Sequence, residues 1–400
     1  MLSVQEAQNW ILQAVNRMEP HTVHIADALR CVLAQDIVSP ADVPPFDNSA
    51  MDGYAVRSVD TAKARSTSPV RLTIKATVRA GDRLSFGIEK GECSKIMTGA
   101  EIPDGTDSVV MIEDVEAKEN QIFVRIPVPK GKHIRRKGED IRRSEVVLKS
   151  GTLLRPPEIG VLASLGLAHI SVVRRPVVAL ATTGDELVEI DEPLSPGKIR
   201  DSNRYSLRAL IMETGCTPLE LGIIPDKREE MENTFKEALQ KSDLLMTTGG
   251  VSMGQYDLVR DVLSSIGKYE FWKVNMKPGK PLAFGTADGK PIFGLPGNPV
   301  SCMVCFELFA RPALMKMRGE KKFFKEKLSA TATCPIDKQK GRAEFKRGKV
   351  RREEDTLVVD VTGPQGSGIL TSMVKANCLV YLPEEVGPIS TGEKVSVIPL

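Results

Sequence analysis

Residues 247–259 read TTGGVSMGQYDLV, which follows an apolar run and sets three glycines just ahead of a lone acid. Adjacent Gly249 and Gly250 leave backbone N–H groups uncovered and free to turn toward an anion, as phosphate nests do. Ser252 and Gly254 extend that cradle. Asp257 opens the next helix, where a carboxylate either caps N–H groups or ligates a hard cation shared with a bound phosphate. Alone, the stretch is equally an ordinary turn. The stretch GLPGNPVS, residues 294–301, is a second candidate. Pro296 and Gly297 make a tight turn, Asn298 suits a helix cap, Pro299 suits the first helical turn, and Ser301 follows inside the helix. A helix start of this kind needs no function, yet aimed into a crevice it is a ready anion site.

Charge gathers near these loops. In KPGKP, Lys277 and Lys280 sit on a turn stiffened by two prolines, with Lys273 just upstream. Any one of them reads as a solvated surface lysine, whereas the group beside a glycine-rich nest points to a polyanionic ligand. TTGDEL supplies Asp185 and Glu186, and IIPD supplies Asp226. Carboxylates beside an anion nest make sense with a divalent cation between them. Mg²⁺ is the economical choice, because His21, His24, His133 and His169 are dispersed where zinc would want them clustered.

The elements that must hold these loops follow from pattern. Between 176 and about 318, apolar strands (VVALA, LELGII, DLLMT, FWKVNM, PIFGL) alternate with helical patterns at 204–214, 227–240, 257–266 and 300–316. This is the signature of a doubly wound, mostly parallel sheet, whose ligand crevice lies beyond the carboxyl ends of its strands. The loops above each follow one of these strands, so they are expected to converge. Residues 43–147 change to short alternating runs separated by Gly, Pro and Asp, an irregular β domain. Residues 1–42 and 148–175 flank it and read as one linking unit, which makes the β domain an insertion. The first helix begins with SVQE, where Ser3 and Glu6 form a capping box. Residues 321–400 return to short strands, a small β barrel or sandwich. The expected architecture is therefore multidomain α/β.

Composition limits the partners. The chain has 400 residues and a net charge of +3, with 55 basic and 52 acidic residues, so its surface as a whole is no nucleic-acid footprint. No uncharged apolar stretch is long enough to span a membrane, and the N-terminus lacks a signal-peptide pattern, which predicts a cytoplasmic protein without membrane contact. The 7 cysteines are scattered and odd in number, which predicts reduced thiols. Cys302 and Cys305 form one C-x-x-C inside an apolar helical run and read as core packing. Two further stretches are unusual: PPFDNSAMDGYAV at 44–56, which otherwise reads as a surface loop, and GKHIRRKGEDIRR at 131–143, which is either a solvated basic face or a phosphate or nucleic-acid patch.

In their order along the chain, FDNSAMDGYAV, IMTGAEIPDGTDSVV, RRKGEDI, TTGDEL, TTGGVSMGQYD, KPGKP and GLPGNPVS resemble the molybdopterin molybdenumtransferase (MoeA) family, which includes the E domain of gephyrin. The resemblance covers almost the whole chain. It implies a homodimer, with the linking unit at the dimer interface and a molybdopterin-binding central domain at 176–320. It also implies a reaction in which adenylylated molybdopterin takes up molybdate and releases AMP with the help of Mg²⁺. Contact with the molybdopterin adenylyltransferase and with acceptor molybdoenzymes is implied as well. By motif match the family's functional positions fall on Asp52, Thr98, Asp140, Glu186, Asp226, Asp257, Lys273, Lys277, Pro296 and Pro299, with Ser367 in GPQGSG. Glu186 and Asp257 are assigned to the cation. Gly249, Gly250, Ser252, Gly254, Lys280, Gly297, Asn298 and Ser301 are assigned to the substrate. Asp52, Thr98 and Asp140 either complete the crevice across a dimer interface or pack within their own chain. Two other readings stay open: a scaffold that binds the pterin or a partner without catalysis, and a phosphohydrolase acting at the same loops.

Overall fold

A computed structural model describes residues 1–250 and 258–400. Ser252, Gly254 and Asp257 therefore lie outside the described residues. The central sheet has six strands in the order Thr217–Ile224, Val177–Thr183, Leu244–Thr248, Lys290–Leu295, Pro281–Ala287 and Lys268–Lys273. The first four are parallel. Alternation along each buried strand sends side chains to opposite faces. Val178, Leu180, Leu244, Met246, Phe293 and Leu295 enter one core with the helices Val4–Ala14 and Ser202–Glu213 and the helical run from Pro299 to Met317. Ala179, Ala181, Leu245 and Ile292 enter a second core with the helices Arg228–Lys241 and Leu258–Ile266. Helices on both faces make the sheet doubly wound, as the alternating pattern predicts.

The sheet departs from the expectation in one place. Pro281–Ala287 is a strand absent from the expected set, between the KPGKP turn and PIFGL, and it runs antiparallel to Lys290–Leu295. FWKVNM is split as well: Lys268–Lys273 closes the sheet edge, while Met276–Lys277 pairs with Ala343–Glu344 of the C-terminal unit. The helix expected at 300–316 is continuous but changes to π-helical winding over Phe306–Ala310.

At their amino ends the two central strands are clamped. Both guanidinium nitrogens of Arg174 donate to the Asp243 carboxylate, at 2.7 and 2.6 Å, and Val177 N donates to the same carboxylate at 2.8 Å. The clamp holds one end of the pair Val177–Thr183 and Leu244–Thr248, and the carboxyl ends open toward the candidate site.

The inserted β unit is a six-stranded sheet built from residues 53–124, with the order Ser108–Met111, Gly53–Val56, Glu92–Ile96, Val70–Val78, Gln121–Val124, Val115–Lys118. Pro20–His24 pairs with His169–Val173, which joins the chain on the two sides of the insertion. The helix Val4–Ala14 begins on the expected capping box, with Glu6 N donating to Ser3 Oγ at 3.2 Å and Ser3 N donating to Glu6 Oε2 at 2.7 Å. It buries Ala7 and Ile11 against the central unit. The C-terminal strands Leu328–Ala332, Ala343–Glu353, Thr356–Val361, Cys378–Leu382 and Lys394–Pro399 close into a barrel through the pairing of Ala343–Glu353 with Cys378–Leu382. Cys302 and Cys305 are fully buried, and desolvation pushes the Cys302 thiol up to about 12, so both behave as core.

The Arg174–Asp243 clamp generates a pH prediction. Burial alone would raise the Asp243 carboxyl, but the hydrogen bonds from Arg174 and Val177 N hold it below the ordinary aspartate value. Its stabilising contribution is therefore present above the unfolded value of about 3.9 and is lost as pH falls through the folded one. In urea unfolding followed from pH 6 down to about 3, the wild type is expected to lose more stability than Asp243→Asn. Parallel curves would remove the clamp from the account.

Candidate functional site

Along the chain the strand Val177–Thr183 is followed by its neighbour on one side, Thr217–Ile224, and then by its neighbour on the other, Leu244–Thr248. Between Val177–Thr183 and Leu244–Thr248 the strand order reverses, which is where open α/β sheets leave a crevice at their carboxyl edge. An open cleft of about 400 Å³ lies there, bordered by Thr182, Thr183, Glu186, Asp201, Asn203, Thr248, Gly249, Gly250, Gly297, Asn298 and Pro299 among others.

The glycine pair is required by close approach. Gly249 has φ +89° and Gly250 φ +60°. A Cβ on Gly249 would lie 2.4 Å from the Thr183 carbonyl oxygen, and one on Gly250 would lie 2.2 Å from Val259 Cγ2. The loop thus folds back over the end of the neighbouring strand. Gly297, from the turn after Lys290–Leu295, stacks on Gly249 at a distance where a Cβ would sit 3.6 Å from its Cα. Asn298 takes the cap position and Pro299 the first turn as expected, although the Asn298 side chain makes no capping hydrogen bond.

Asn203 and Asp201 were not singled out in the sequence, and they organise the cleft wall. Asn203 Nδ2 donates to Thr248 Oγ1 at 3.0 Å and to the Gly297 carbonyl at 2.7 Å. Thr248 Oγ1 in turn donates to the Pro296 carbonyl at 3.2 Å. Asp201 caps the helix Ser202–Glu213 by accepting from Arg204 N at 3.0 Å. The buried Arg204 pairs with Glu189, which ties down the excursion that leads from Glu186 to Arg200. The available signal was weak: Asp-Ser-Asn before a helical pattern reads as a cap, and the paired threonines at two strand ends read as ordinary strand residues.

Glu186 borders the cleft, and Asp185 and Asp226 lie near it. The Asp226 carboxyl is raised above the ordinary aspartate value by burial and then by the charges of Asp185 and Glu186, and Asp226 N lies 3.4 Å from Asp185 Oδ1. No group of three His, Cys, Asp or Glu side chains with metal-binding geometry occurs among the described residues.

The lysines are placed differently. Lys273 ends at the same sheet edge but three strands from Leu244–Thr248, roughly 14 Å at the usual strand spacing. Lys277 borders a separate cleft with Asn275, Lys340, Arg342 and Glu344, where the sheet meets the barrel. The KPGKP turn packs on the helix that starts at Pro299, with the Gly279 Cβ position 2.5 Å from Cys305 Sγ and 3.6 Å from the Ser301 carbonyl. Ser367 accepts from Val300 N at 3.1 Å, so GPQGSG meets the same helical turn. The buried Arg347 fastens that loop by donating to Ser372 Oγ and to the Gly366 carbonyl.

A third group lies in the inserted unit. Asp52 Oδ1 accepts from Thr98 N at 2.7 Å and Thr98 Oγ1 at 2.8 Å, bonds that hold its carboxyl below the ordinary range. Asp140 N donates to the Val43 carbonyl. Asp52, Thr98 and Asp140 are exposed. The basic run is partly neutralised by the same segment, since Arg136 pairs with Asp47 and Lys137 with Asp42.

Comparison with known proteins settles the family. Models described as "MoeA N-terminal region (domain I and II)", "Probable molybdopterin binding domain" and "MoeA C-terminal region (domain IV)" match residues 2–166, 179–316 and 329–400. The chain belongs to the MoeA family. A molybdopterin molybdenumtransferase of Haemophilus influenzae is 38% identical over 100% of this chain and 98% of its own length. One of Staphylococcus aureus is 36% identical over 99% of this chain and 95% of its own length. The crystal structure of the molybdopterin biosynthesis moeA protein from Pyrococcus horikoshii OT3 superposes with a TM-score of 0.85, at 32% identity and with complete coverage of both chains. The MoeA chain is accordingly an enzyme of molybdenum cofactor biosynthesis, a molybdopterin molybdenumtransferase.

The glycine geometry predicts a contrast. Gly249→Ala, which meets the Thr183 carbonyl with φ +89°, is expected to lower the unfolding free energy by about 1–3 kcal/mol. Gly297→Ala, with ordinary contact distances, is expected to stay within about 0.5 kcal/mol. Equal losses in urea unfolding would mean that the close approach is not what requires glycine.

Proposed function

We propose that this enzyme inserts molybdate into the dithiolene of adenylylated molybdopterin and releases AMP with the assistance of Mg²⁺, working as a cytoplasmic homodimer. The observation that carries the proposal is the cleft at the strand-order reversal, which a glycine pair, a helix start and Glu186 border together. The pyrophosphate of the substrate is an anion suited to the Gly249–Gly250 turn and to the helix that begins at Pro299.

Glu186 borders this cleft, and its charge together with that of Asp185 crowds the Asp226 carboxyl. That like-charge crowding fits a site which receives a cation, held by Glu186 with Asp257. Bound there, Mg²⁺ would offset charge on the phosphate oxygens. Burial and the charges of Asp185 and Glu186 raise the Asp226 carboxyl above the ordinary aspartate value. Lys273 and Lys277, the latter at the barrel junction, are assigned to molybdate or to charge developing on the departing AMP, and Lys280, Ser301 and Ser367 to the substrate. Ser252 and Gly254 extend the phosphate cradle. The sulfur ligands of molybdenum come from the pterin, in keeping with the burial of Cys302 and Cys305.

Asp52 is hydrogen-bonded to Thr98, Asp140 is exposed like both of them, and we assign all three to the crevice of a second copy of the chain. The molybdopterin adenylyltransferase and acceptor molybdoenzymes are the proteins expected to deliver substrate and receive product.

Incubation of the purified protein with adenylylated molybdopterin and Mg²⁺, with and without molybdate, tests the proposal. The expected result is AMP release that depends on molybdate and yields cofactor able to activate an apo-molybdoenzyme. Equal release without molybdate would make it a phosphohydrolase, and tight binding without release would make it a scaffold.

A further inference from the structure

The excursion between the strand Val177–Thr183 and the helix Ser202–Glu213 forms one side of the cleft and has no core of its own. Glu186, Leu187, Ile199 and Arg200 border the cleft. None of the residues 184–200 is buried. The larger apolar side chains stand half in water, with Ile190 50%, Leu194 53% and Ile199 56% exposed, so burial does little to hold the segment. Leu187–Val188 pairs in parallel with Ile199–Arg200, and Ile199 N donates to the Glu186 carbonyl at 2.8 Å and Asp201 N to the Val188 carbonyl at 3.1 Å. A two-stranded ladder of that size is not stable in water by itself. Its hydrogen bonds therefore depend on a tie from outside.

That tie is Arg204. It stands in the first turn of the helix Ser202–Glu213, is 6% exposed, and donates from Nη2 to Glu189 Oε2. The neighbouring strand makes room for it: the register of Thr217–Ile224 shifts between Glu220 and Gly222, and a Cβ on Gly222 would lie 3.5 Å from Arg204 Nη1. The two ends of the ion pair differ. Arg204 is fixed in the fold, whereas the Glu189 side chain is 37% exposed. Asp201, whose side chain is fully buried, keeps Oδ2 at 3.5 Å from Arg204 Nε. When Glu189 turns into water, Asp201 still balances the guanidinium, and the heavy cost of an uncompensated buried charge is avoided. A pair with one wet end and a standing counter-charge can open and close.

We propose that the excursion from Gly184 to Arg200 is a movable side of the cleft and that the Arg204–Glu189 pair is its latch, closed while a ligand is held and open for exchange. Neither Arg204 nor Glu189 borders the cleft. Both are positioning residues, which act by keeping Glu186, Leu187, Ile199 and Arg200 at its border. The inference rests on the reading of the cleft as the substrate site. Removing a hydrogen bond between charged groups shifts the latch about tenfold toward open, and the apparent affinity of a ligand falls with the closed fraction.

Glu189→Ala tests the latch on the full chain, because the residue is partly exposed and its loss leaves the cores intact. Hydrogen exchange at the amides of Ile199 and Asp201 is followed by mass spectrometry with and without AMP, beside the melting temperature and the kinetics with adenylylated molybdopterin. The variant is expected to exchange at these amides about tenfold faster and to melt within about 2 °C of the wild type. AMP is expected to slow the exchange in both proteins. The KM for adenylylated molybdopterin is expected to rise about threefold or more while kcat stays within about twofold, the split of a residue that positions rather than reacts. Exchange at the wild-type rate would overturn the inference, as would faster exchange with KM unchanged, which would make the tie structural only. Molybdate-dependent AMP release with unaltered exchange rejects the latch alone. Faster exchange that AMP slows, in a protein whose AMP release ignores molybdate, keeps the latch and rejects the transferase chemistry.

Discussion

The close approach of Gly249 and Gly250 to the end of the strand Val177–Thr183 is the constraint on which the site depends. Two neighbouring parallel strands end side by side, the loop after one folds back over the other, and only a residue without Cβ fits between them. The rest of the central unit holds that contact in place. At the far end of the same two strands the Arg174–Asp243 clamp fixes their relative position. At the near end a directional chain from Asn203 through Thr248 to Pro296 joins a helix, a strand and the turn that starts the next helix. The cleft is therefore walled by backbone and short side chains on rigid elements, an arrangement suited to placing a ligand with little reorganisation.

Charge is divided between two sides of the helix that starts at Pro299. Asp185, Glu186 and Asp226 gather on the crevice side, whereas Lys277, Lys340 and Arg342 line the cleft toward the barrel. Asn298 and Pro299 border the crevice, and the next turn of the same helix meets KPGKP and GPQGSG. One helix start thus connects the crevice that Glu186 borders to a pocket lined by Lys277, Lys340, Arg342 and Glu344. That layout suits the proposed reaction, whose two reactants, a nucleotide-bearing pterin and a metal oxyanion, are both anions and repel each other in a single pocket.

Much of this was legible in the residues. Val178 and Leu180 alternating with Ala179 and Ala181 report a strand buried on two faces, and the strand-then-loop reading placed Thr183, Glu186, Gly249 and Asn298 on one edge. The glycine pair was read for anion binding, and its steric reason needed the neighbouring strand. Pro281–Ala287 escaped because a buried antiparallel strand that begins directly after a proline-rich turn carries no boundary of its own. The position of Lys277 escaped because it depends on pairing with Ala343–Glu344, a contact far along the chain. Asn203 escaped because its role depends on partners from a distant strand and turn, Thr248 and Gly297.

The central claim is that the crevice beside the glycine pair takes the phosphate end of the substrate. A crystal structure of the protein with AMP tests it directly. The account predicts the AMP phosphate within hydrogen-bond distance of Gly249 or Gly250 N–H, or of the first turn that begins at Pro299. A phosphate seated instead between Lys277 and Arg342 at the barrel junction, with the crevice empty, would contradict it.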